Sequence, residues 1–177
     1  MSRTKKLIRN LIILAGMIFI YINIIGIYMT PLQAHQNSER SGHYGPSDIK
    51  HIENFKKGKY YLCTYDKWVS CNTVKKTLVF FWAIGSQYAG FENEKGKKIS
   101  WVWDGSEQYC KAYGIINDRQ IKRVELLLED GTVMKQTGFY DNLFLFTWED
   151  KSNKLYPLKI SGYDAQNNKI FENVYGE

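Results

Sequence analysis

The sequence predicts a mainly β protein: a single N-terminal transmembrane helix, a short linker helix, then an antiparallel β-sandwich of Ig-like type or a small barrel. Residues 11–29 form an unbroken apolar run. From residue 59 onward, apolar and polar side chains alternate, as in half-buried strands. Turn formers separate about seven or eight such segments. We therefore expect a basic stub at 1–10, the transmembrane helix at 11–29, the linker at 30–57 and the β-domain at 58–177.

The apolar run has the length of a membrane span. At about 1.5 Å per helical residue it extends roughly 28 Å, close to the thickness of the hydrocarbon layer. It carries no charge, and Asn23 is its one strongly polar residue. A cleaved signal peptide is the alternative, but its apolar region is shorter and ends at small residues. The best cleavage site here places the bulky Leu32 where a small residue is preferred.

Charges around the run predict its orientation. Four basic residues precede it, and no Lys or Arg follows until Arg40; the four are Arg3, Lys5, Lys6 and Arg9. The positive-inside rule places the N-terminus in the cytoplasm and the remainder outside the cell membrane. These four charges supply most of the net charge of +6, so the charge gives no indication of nucleic-acid binding. The lipid bilayer is the first partner we expect.

The segment between the run and the β-domain predicts a linker and one short helix. Residues 30–45 are polar, without periodicity, and contain Gly and Pro. Pro46 and Ser47 then resemble a helix start, and Gly58 resembles a helix stop. Apolar residues fall on one side of this helix, namely Ile49, Ile52 and Phe55.

The remaining chain predicts strands. The segment 77–84 is apolar on both faces, which is typical of a covered central strand. Residues 121–138 give the best hairpin, because Asp130-Gly131 suits a type I′ turn. Further strands are expected at 60–65, 99–104, 108–113, 143–148, 156–163 and 169–174.

The three cysteines all follow the run, in a compartment where disulfides form. Cys63 and Cys71 flank a short turn, so a bridge between them is possible. Cys110 would then be a small buried apolar residue. Pairing of Cys110 with either of the others is also open.

Sequence motifs favour a protein that is not an enzyme. The histidines, His35, His43 and His51, all precede the predicted β-domain, so no base is placed beside a nucleophile there. Their spacing matches no compact metal site, and no cofactor motif occurs. We expect no catalytic residue, no metal and no cofactor.

Paired carboxylates are the exception that needs testing, since glycosidases use only two. Three pairs occur at predicted strand ends and turns, where acids are ordinarily solvated: Glu92 with Glu94, Asp104 with Glu107, and Glu149 with Asp150.

Aromatic residues are the candidate binding groups, because such rings stack on sugars and fill protein interfaces. Trp101 and Trp103 share one face of a strand, so both belong either to the core or to a binding platform. Trp68, in the predicted turn between two cysteines, is the best candidate for an exposed binding residue.

Lysines concentrate in the first half of the predicted β-domain. They indicate contact with anionic lipid headgroups or acidic wall polymers, or else solvated turns and protected sheet edges. The residues are Lys56, Lys57, Lys59, Lys75, Lys76, Lys95, Lys97 and Lys98.

The C-terminal half carries turns and strands in a familiar order. They are Gly114-Ile115-Ile116-Asn117-Asp118, Ile121-Lys122-Arg123-Val124-Glu125, Asp130-Gly131, Leu143-Phe144-Leu145-Phe146, Ile160-Ser161-Gly162-Tyr163-Asp164 and Ile170-Phe171-Glu172. Residues 110–175 thereby resemble a loose group of uncharacterised exported β-sandwich domains of Gram-positive bacteria, which follow one N-terminal membrane segment. The resemblance implies fold and location. The group has no established activity, so no functional residue transfers.

Together these features predict a membrane-anchored extracytoplasmic domain that binds a protein or an envelope polymer. Two alternatives stay open. One is a wall- or carbohydrate-processing enzyme that uses paired carboxylates. The other is an accessory subunit of a membrane complex that works through its helix.

Overall fold

The computed structural model describes residues 3–24, 26–77, 80–86, 90–105, 108–151 and 154–175. Within them lie two helices, α1 (Arg3–Ile24) and α2 (Pro31–Ser41). The strands are β1 (Ile27–Tyr28), β2 (Asp48–Phe55), β3 (Gly58–Tyr65), β4 (Trp68–Thr77), β5 (Phe81–Ile84), β6 (Phe91–Glu92), β7 (Ile99–Asp104), β8 (Tyr109–Ile116), β9 (Arg123–Leu128), β10 (Val133–Gln136), β11 (Leu143–Glu149), β12 (Pro157–Tyr163) and β13 (Lys169–Val174).

The strands form three antiparallel sheets, which confirms the mainly β prediction. Sheet 1 has the order β1-β5-β4-β3-β2, with β6 added to one end of β4. Sheet 2 has the order β11-β8-β7, and sheet 3 the order β10-β9-β12-β13. The predicted hairpin at 121–138 is present as β9 and β10, with Val124 opposite Gln136.

Sheet 2 shares an apolar cluster with each of the other sheets. On one face, Tyr113 and Leu143 pack with Leu62 of sheet 1. On the opposite face, Phe144 packs with Leu126 of sheet 3. Successive strand residues point to opposite faces, so β8 and β11 contribute to both clusters. The described strands therefore stack as three sheets, with sheet 2 between sheets 1 and 3.

Helix α2 covers the other face of sheet 1, where the sequence predicts a linker. Its first turn is closed by a capping box, in which the Thr30 hydroxyl accepts from Gln33 N and the Gln33 side chain accepts from Thr30 N. Ala34 packs against Tyr61 and Cys63 of β3. The prediction of an irregular linker over residues 30–45 is wrong. The buried side of α2 is largely polar, so the sequence shows no apolar periodicity there.

Strand β2 replaces the short helix predicted at 46–57. A register shift between Ile49 and His51 sends the two ends of β2 to different sides of sheet 1. Ile49 packs beside α2, whereas Phe55 packs towards sheet 2. The apolar spacing that suggested one helical face is thus divided between two faces of a bulged strand.

The globular part begins at β1, well before the boundary predicted at residue 58. Gly26, with φ 67°, follows α1, and Ile27 and Tyr28 then pair with Ala83 and Trp82 of β5. The apolar run at 11–29 is therefore not one helix, since its last residues join sheet 1. Within the part of the chain that the structure describes, no helix is long and apolar enough to cross a membrane.

Candidate functional site

A groove of about 640 Å³ lies between β7 of sheet 2 and β13 of sheet 3. We call it the edge groove. Strand β6 and the loop that follows it form another wall. Its lining residues are Phe91, Glu92, Glu94, Lys97, Ile99, Ser100, Trp101, Val102, Phe171, Glu172 and Asn173.

The edge groove is lined by the edges of two strands. Residues 99–102 of β7 and 171–173 of β13 line it consecutively. Successive side chains of a strand point to opposite faces of its sheet. A groove that contacts consecutive residues therefore faces the edge of the strand and not one face of the sheet. Among the described residues, β7 pairs only with β8 and β13 only with β12. The groove therefore lies where two strands have free edges.

Trp101 joins the two walls of the edge groove. Its indole Nε1 donates a hydrogen bond to Asn173 Oδ1 at 2.9 Å. The ring is half-buried and packs against the cluster shared by sheets 2 and 3. Trp101 therefore belongs both to the core and to a candidate binding surface, because it contacts the core cluster and also lines the groove.

Trp103 shares this face of β7 but does not line the groove. Its ring stacks with Trp148 at a centroid distance of 6.5 Å and meets Tyr175 edge-on at 5.6 Å. It therefore packs among aromatic neighbours of its own chain.

Three acids line the edge groove, and each is held in an ion pair. Glu92 contacts Lys67 Nζ at 2.8 Å, and Glu94 contacts Lys97 Nζ at 2.8 Å. Two lysines of sheet 3 lie near Glu172, Lys169 at 2.6 Å and Lys159 at 3.2 Å. Their hydrogen bonds lower the pKa of Glu172 to about 2.

This pairing does not suit glycoside hydrolysis, in which a carboxyl with a raised pKa must donate a proton. Glu172 stays ionised instead. Of the other predicted pairs, Asp104, Glu149 and Asp150 do not line the groove. Asp150 is buried and accepts from Leu155 N at 2.8 Å, whereas Glu149 is exposed and accepts from Gln108 Nε2 at 2.7 Å. Glu107, the predicted partner of Asp104, lies outside the described residues.

A second aromatic surface surrounds the β3–β4 turn. Trp68 is 38% exposed and Tyr65 39% exposed. With His43 and Tyr44 they line a hollow of about 280 Å³. We call this surface the hairpin tip. Asp66, with φ 51°, makes the tight turn that brings Tyr65 opposite Trp68.

The sequence interpretation missed a buried polar network between α2 and sheet 1. His35 Nε2 lies 3.3 Å from Glu39 Oε1, and His35 Nδ1 lies 3.1 Å from Asn72 Nδ2. The amide therefore donates to Nδ1, and the Nε2–H faces the carboxylate. Tyr44 donates to Asn72 Oδ1 at 2.7 Å, and Ser47 N donates to Glu39 Oε1 at 3.2 Å. The capping box at residue 30 is the sequence signal that identifies this helix.

Cys63 also lies in this network, with its Sγ 3.8 Å from His35 Nε2. Burial raises the pKa of the Cys63 thiol to about 12 and lowers the pKa of His35, although Glu39 opposes the latter change. A catalytic cysteine needs a thiolate, which an apolar, buried environment disfavours. The role of the network is therefore structural, because its hydrogen bonds join α2 to sheet 1. We call this network the clasp.

The disulfide considered between Cys63 and Cys71 is not formed, and the side chains of all three cysteines are buried. Cys63 stands opposite Ser70, and Cys71 stands opposite Leu62. The two thiols consequently point to opposite faces of sheet 1. Among the described residues, no three His, Cys, Asp or Glu side chains come together as a metal site.

Comparison with protein-family models, with curated proteins and with solved structures finds no match for this chain. The resemblance to exported Gram-positive domains stays a prediction.

Proposed function

We propose that this chain is a membrane-anchored, extracytoplasmic binding module whose edge groove takes an extended, basic segment of a partner polypeptide. The observation that supports it most is the lining of the groove by consecutive residues of two free strand edges. Free edges offer unpaired peptide N–H and C=O groups, and an extended segment satisfies them by adding a strand.

The side chains of the edge groove favour a particular class of segment. Phe91, Trp101 and Phe171 provide apolar surface for alternate side chains of an added strand. Glu92, Glu94 and Glu172 line the groove in solvent-exposed ion pairs with lysines of this chain, and such pairs contribute little to stability, so a basic side chain of the bound segment can replace those lysines. Complementary charge steers association and selects partners, so we expect lysine or arginine in the bound segment.

The anchor is supported by the apolar run and by the side chains of α1. Helix α1 has 22 residues, and those that precede the run include four basic ones. Its described apolar side chains are more than half exposed, among them Leu11, Ile12, Met17 and Ile20. A helix that is apolar on all sides needs lipid or protein around it. We propose that lipid surrounds it and that the stacked sheets form a β-sandwich outside the membrane.

Peptide selection tests the groove. The full chain, held in lipid nanodiscs, is used to select binders from a library of random peptides. We expect the selected peptides to alternate apolar and basic residues. Glu94→Lys should weaken their binding at least about tenfold, because it places a positive charge in the groove.

Glu129→Lys is the matched control for this experiment. It makes the same charge change at an exposed turn outside the groove, and binding should be unchanged. Equal weakening by both variants would mean that the protein attracts peptides by overall charge alone, and the groove proposal would fail. Retention of the full chain in membranes washed with carbonate tests the anchor separately.

A further inference from the structure

The lysines in the first half of the predicted β-domain form two groups in the folded protein. The turn between β2 and β3, the end of β4 and the start of β5 lie at one end of sheet 1, because Gly58 pairs with Lys75 and Thr77 pairs with Phe81. Lys76 N donates to Lys57 O at 2.7 Å, which joins the first two directly. We call this the lysine end; its lysines are Lys56, Lys57, Lys59, Lys75 and Lys76.

Three of the five positive charges at the lysine end have no opposite charge beside them among the described residues. Lys56, Lys57 and Lys76 form no ion pair with any residue that the structure describes. Lys57 Nζ instead lies 5.7 Å from the centroid of the Tyr109 ring. Two lysines of the other group differ, since Lys97 pairs with Glu94 and Lys98 with Asp118.

Apolar side chains project from the same end of sheet 1. Phe80, directly before β5, is 78% exposed. Tyr28 pairs with Trp82, so Met29 emerges at this end and is 68% exposed. Leu32, in the first turn of α2, is 44% exposed. Large apolar groups grouped beside unpaired lysines are typical of surfaces that rest in a membrane interface.

We propose that the lysine end docks on an anionic lipid surface, with Phe80, Met29 and Leu32 entering the headgroup layer and the lysines facing lipid phosphates. Anionic headgroups provide the charge that this end lacks. The inference rests on the proposed anchor. The chain between Ile24 and Met29 spans at most about 18 Å when extended, so an embedded α1 keeps this end within reach of the bilayer.

Docking by the lysine end orients the rest of the domain. Strand β4 runs from Trp68 at the hairpin tip to Thr77 at the lysine end. A strand of ten residues is about 30 Å long, so the hairpin tip then faces away from the membrane.

An environment-sensitive nitrobenzoxadiazole label on Phe80→Cys tests the docking in the full chain. The native thiols are buried, so the new cysteine takes the label. The protein is reconstituted in vesicles of phosphatidylcholine alone or of equal parts phosphatidylcholine and phosphatidylglycerol. We expect a blue shift and brighter emission only with the anionic lipid, reversed by high salt. The same label on Val133→Cys, an exposed site of sheet 3, should not respond.

The combined variant Lys56→Gln, Lys57→Gln and Lys76→Gln should abolish the shift at position 80 while carbonate-resistant retention stays intact. Retention without any shift, or a shift that survives the lysine substitutions, would overturn the docking proposal. An equal shift with soluble polyphosphate and neutral vesicles would also overturn it, because the lysines would then bind an acidic polymer. Loss of retention would instead refute the anchor itself.

Discussion

The imidazole of His35 stacks on the ring of Tyr61, with centroids 4.5 Å apart and planes 6° from parallel. His35 belongs to α2, and Tyr61 lies in the middle of β3 in sheet 1. This contact, together with the clasp around Glu39 and Asn72, makes residues 31–41 part of the folded domain. The segment between the apolar run and the strands is therefore a structural layer, with consequences for stability.

The first prediction concerns the clasp. His35→Ala removes the ring stack and leaves the buried Glu39 carboxylate and the Asn72 amide without the imidazole. We expect a loss of about 2–4 kcal/mol in the free energy of unfolding. Gln36→Ala, on the exposed side of the same helix, should cost less than about 0.5 kcal/mol. Denaturant unfolding of the full chain in detergent measures both, and equal costs would show that the clasp adds nothing.

The second prediction is a pH dependence. Burial lowers the pKa of His35, so near pH 6 the unfolded chain binds a proton that the folded chain excludes. Stability is then full above the ordinary histidine pKa of about 6.5 and falls as the pH drops below it, by up to about 1.4 kcal/mol per pH unit. His35→Asn, which does not titrate, should be less stable but should lack this component. Parallel pH profiles for the two proteins between pH 5.5 and 7 would contradict the assignment to His35.

The third prediction concerns Lys111, a buried lysine between sheets 1 and 2. Its Nζ donates to Cys71 O at 2.6 Å and to Thr73 Oγ1 at 2.7 Å, and lies 3.6 Å from Asp104 Oδ2. Lys111→Met removes the buried ammonium and leaves Asp104 without this positive charge beside it. We expect a loss of about 2–4 kcal/mol in the free energy of unfolding. Lys135→Met changes an exposed lysine of sheet 3 and should cost less than about 0.5 kcal/mol. A small cost at both positions would mean that sheets 1 and 2 do not depend on this contact.

The fourth prediction concerns the thiols. Burial raises the pKa of Cys71 to about 11 and that of Cys110 to about 12, as it does for Cys63. The folded protein should therefore react very slowly with a thiol reagent at pH 8. After unfolding without reductant, mass spectrometry should find every cysteine alkylated. A species that lacks two alkyl groups would reveal a disulfide. It would contradict the placement of the Cys63 and Cys71 thiols on opposite faces of sheet 1.

Sequence patterns predicted the strands best where apolar residues alternate beside a turn. The hairpin around Asp130-Gly131 is an example, because its turn formers and its alternating burial agree, although only Gly131 of the pair has a positive φ, 85°, so the turn is not the type I′ that the sequence predicts. They failed around α2, whose buried face carries His35, Ser38 and Glu39. His35 and Ser38 accept hydrogen bonds from Asn72 in sheet 1, far away in sequence, so the sequence pattern does not show that these groups can be buried. Trp101 was identified as a candidate, but the edge groove depends on β13, whose position beside β7 follows from long-range packing.

The most direct test of the account is hydrogen–deuterium exchange of the full chain with and without a peptide selected on it. Strand addition satisfies the free peptide groups of the edge groove, so we predict slower exchange at residues 99–102 and 171–173. The edges should be protected together, because Trp101 and Asn173 join them. Protection confined to the turn between Tyr65 and Trp68, with the groove edges exchanging as before, would contradict the central claim.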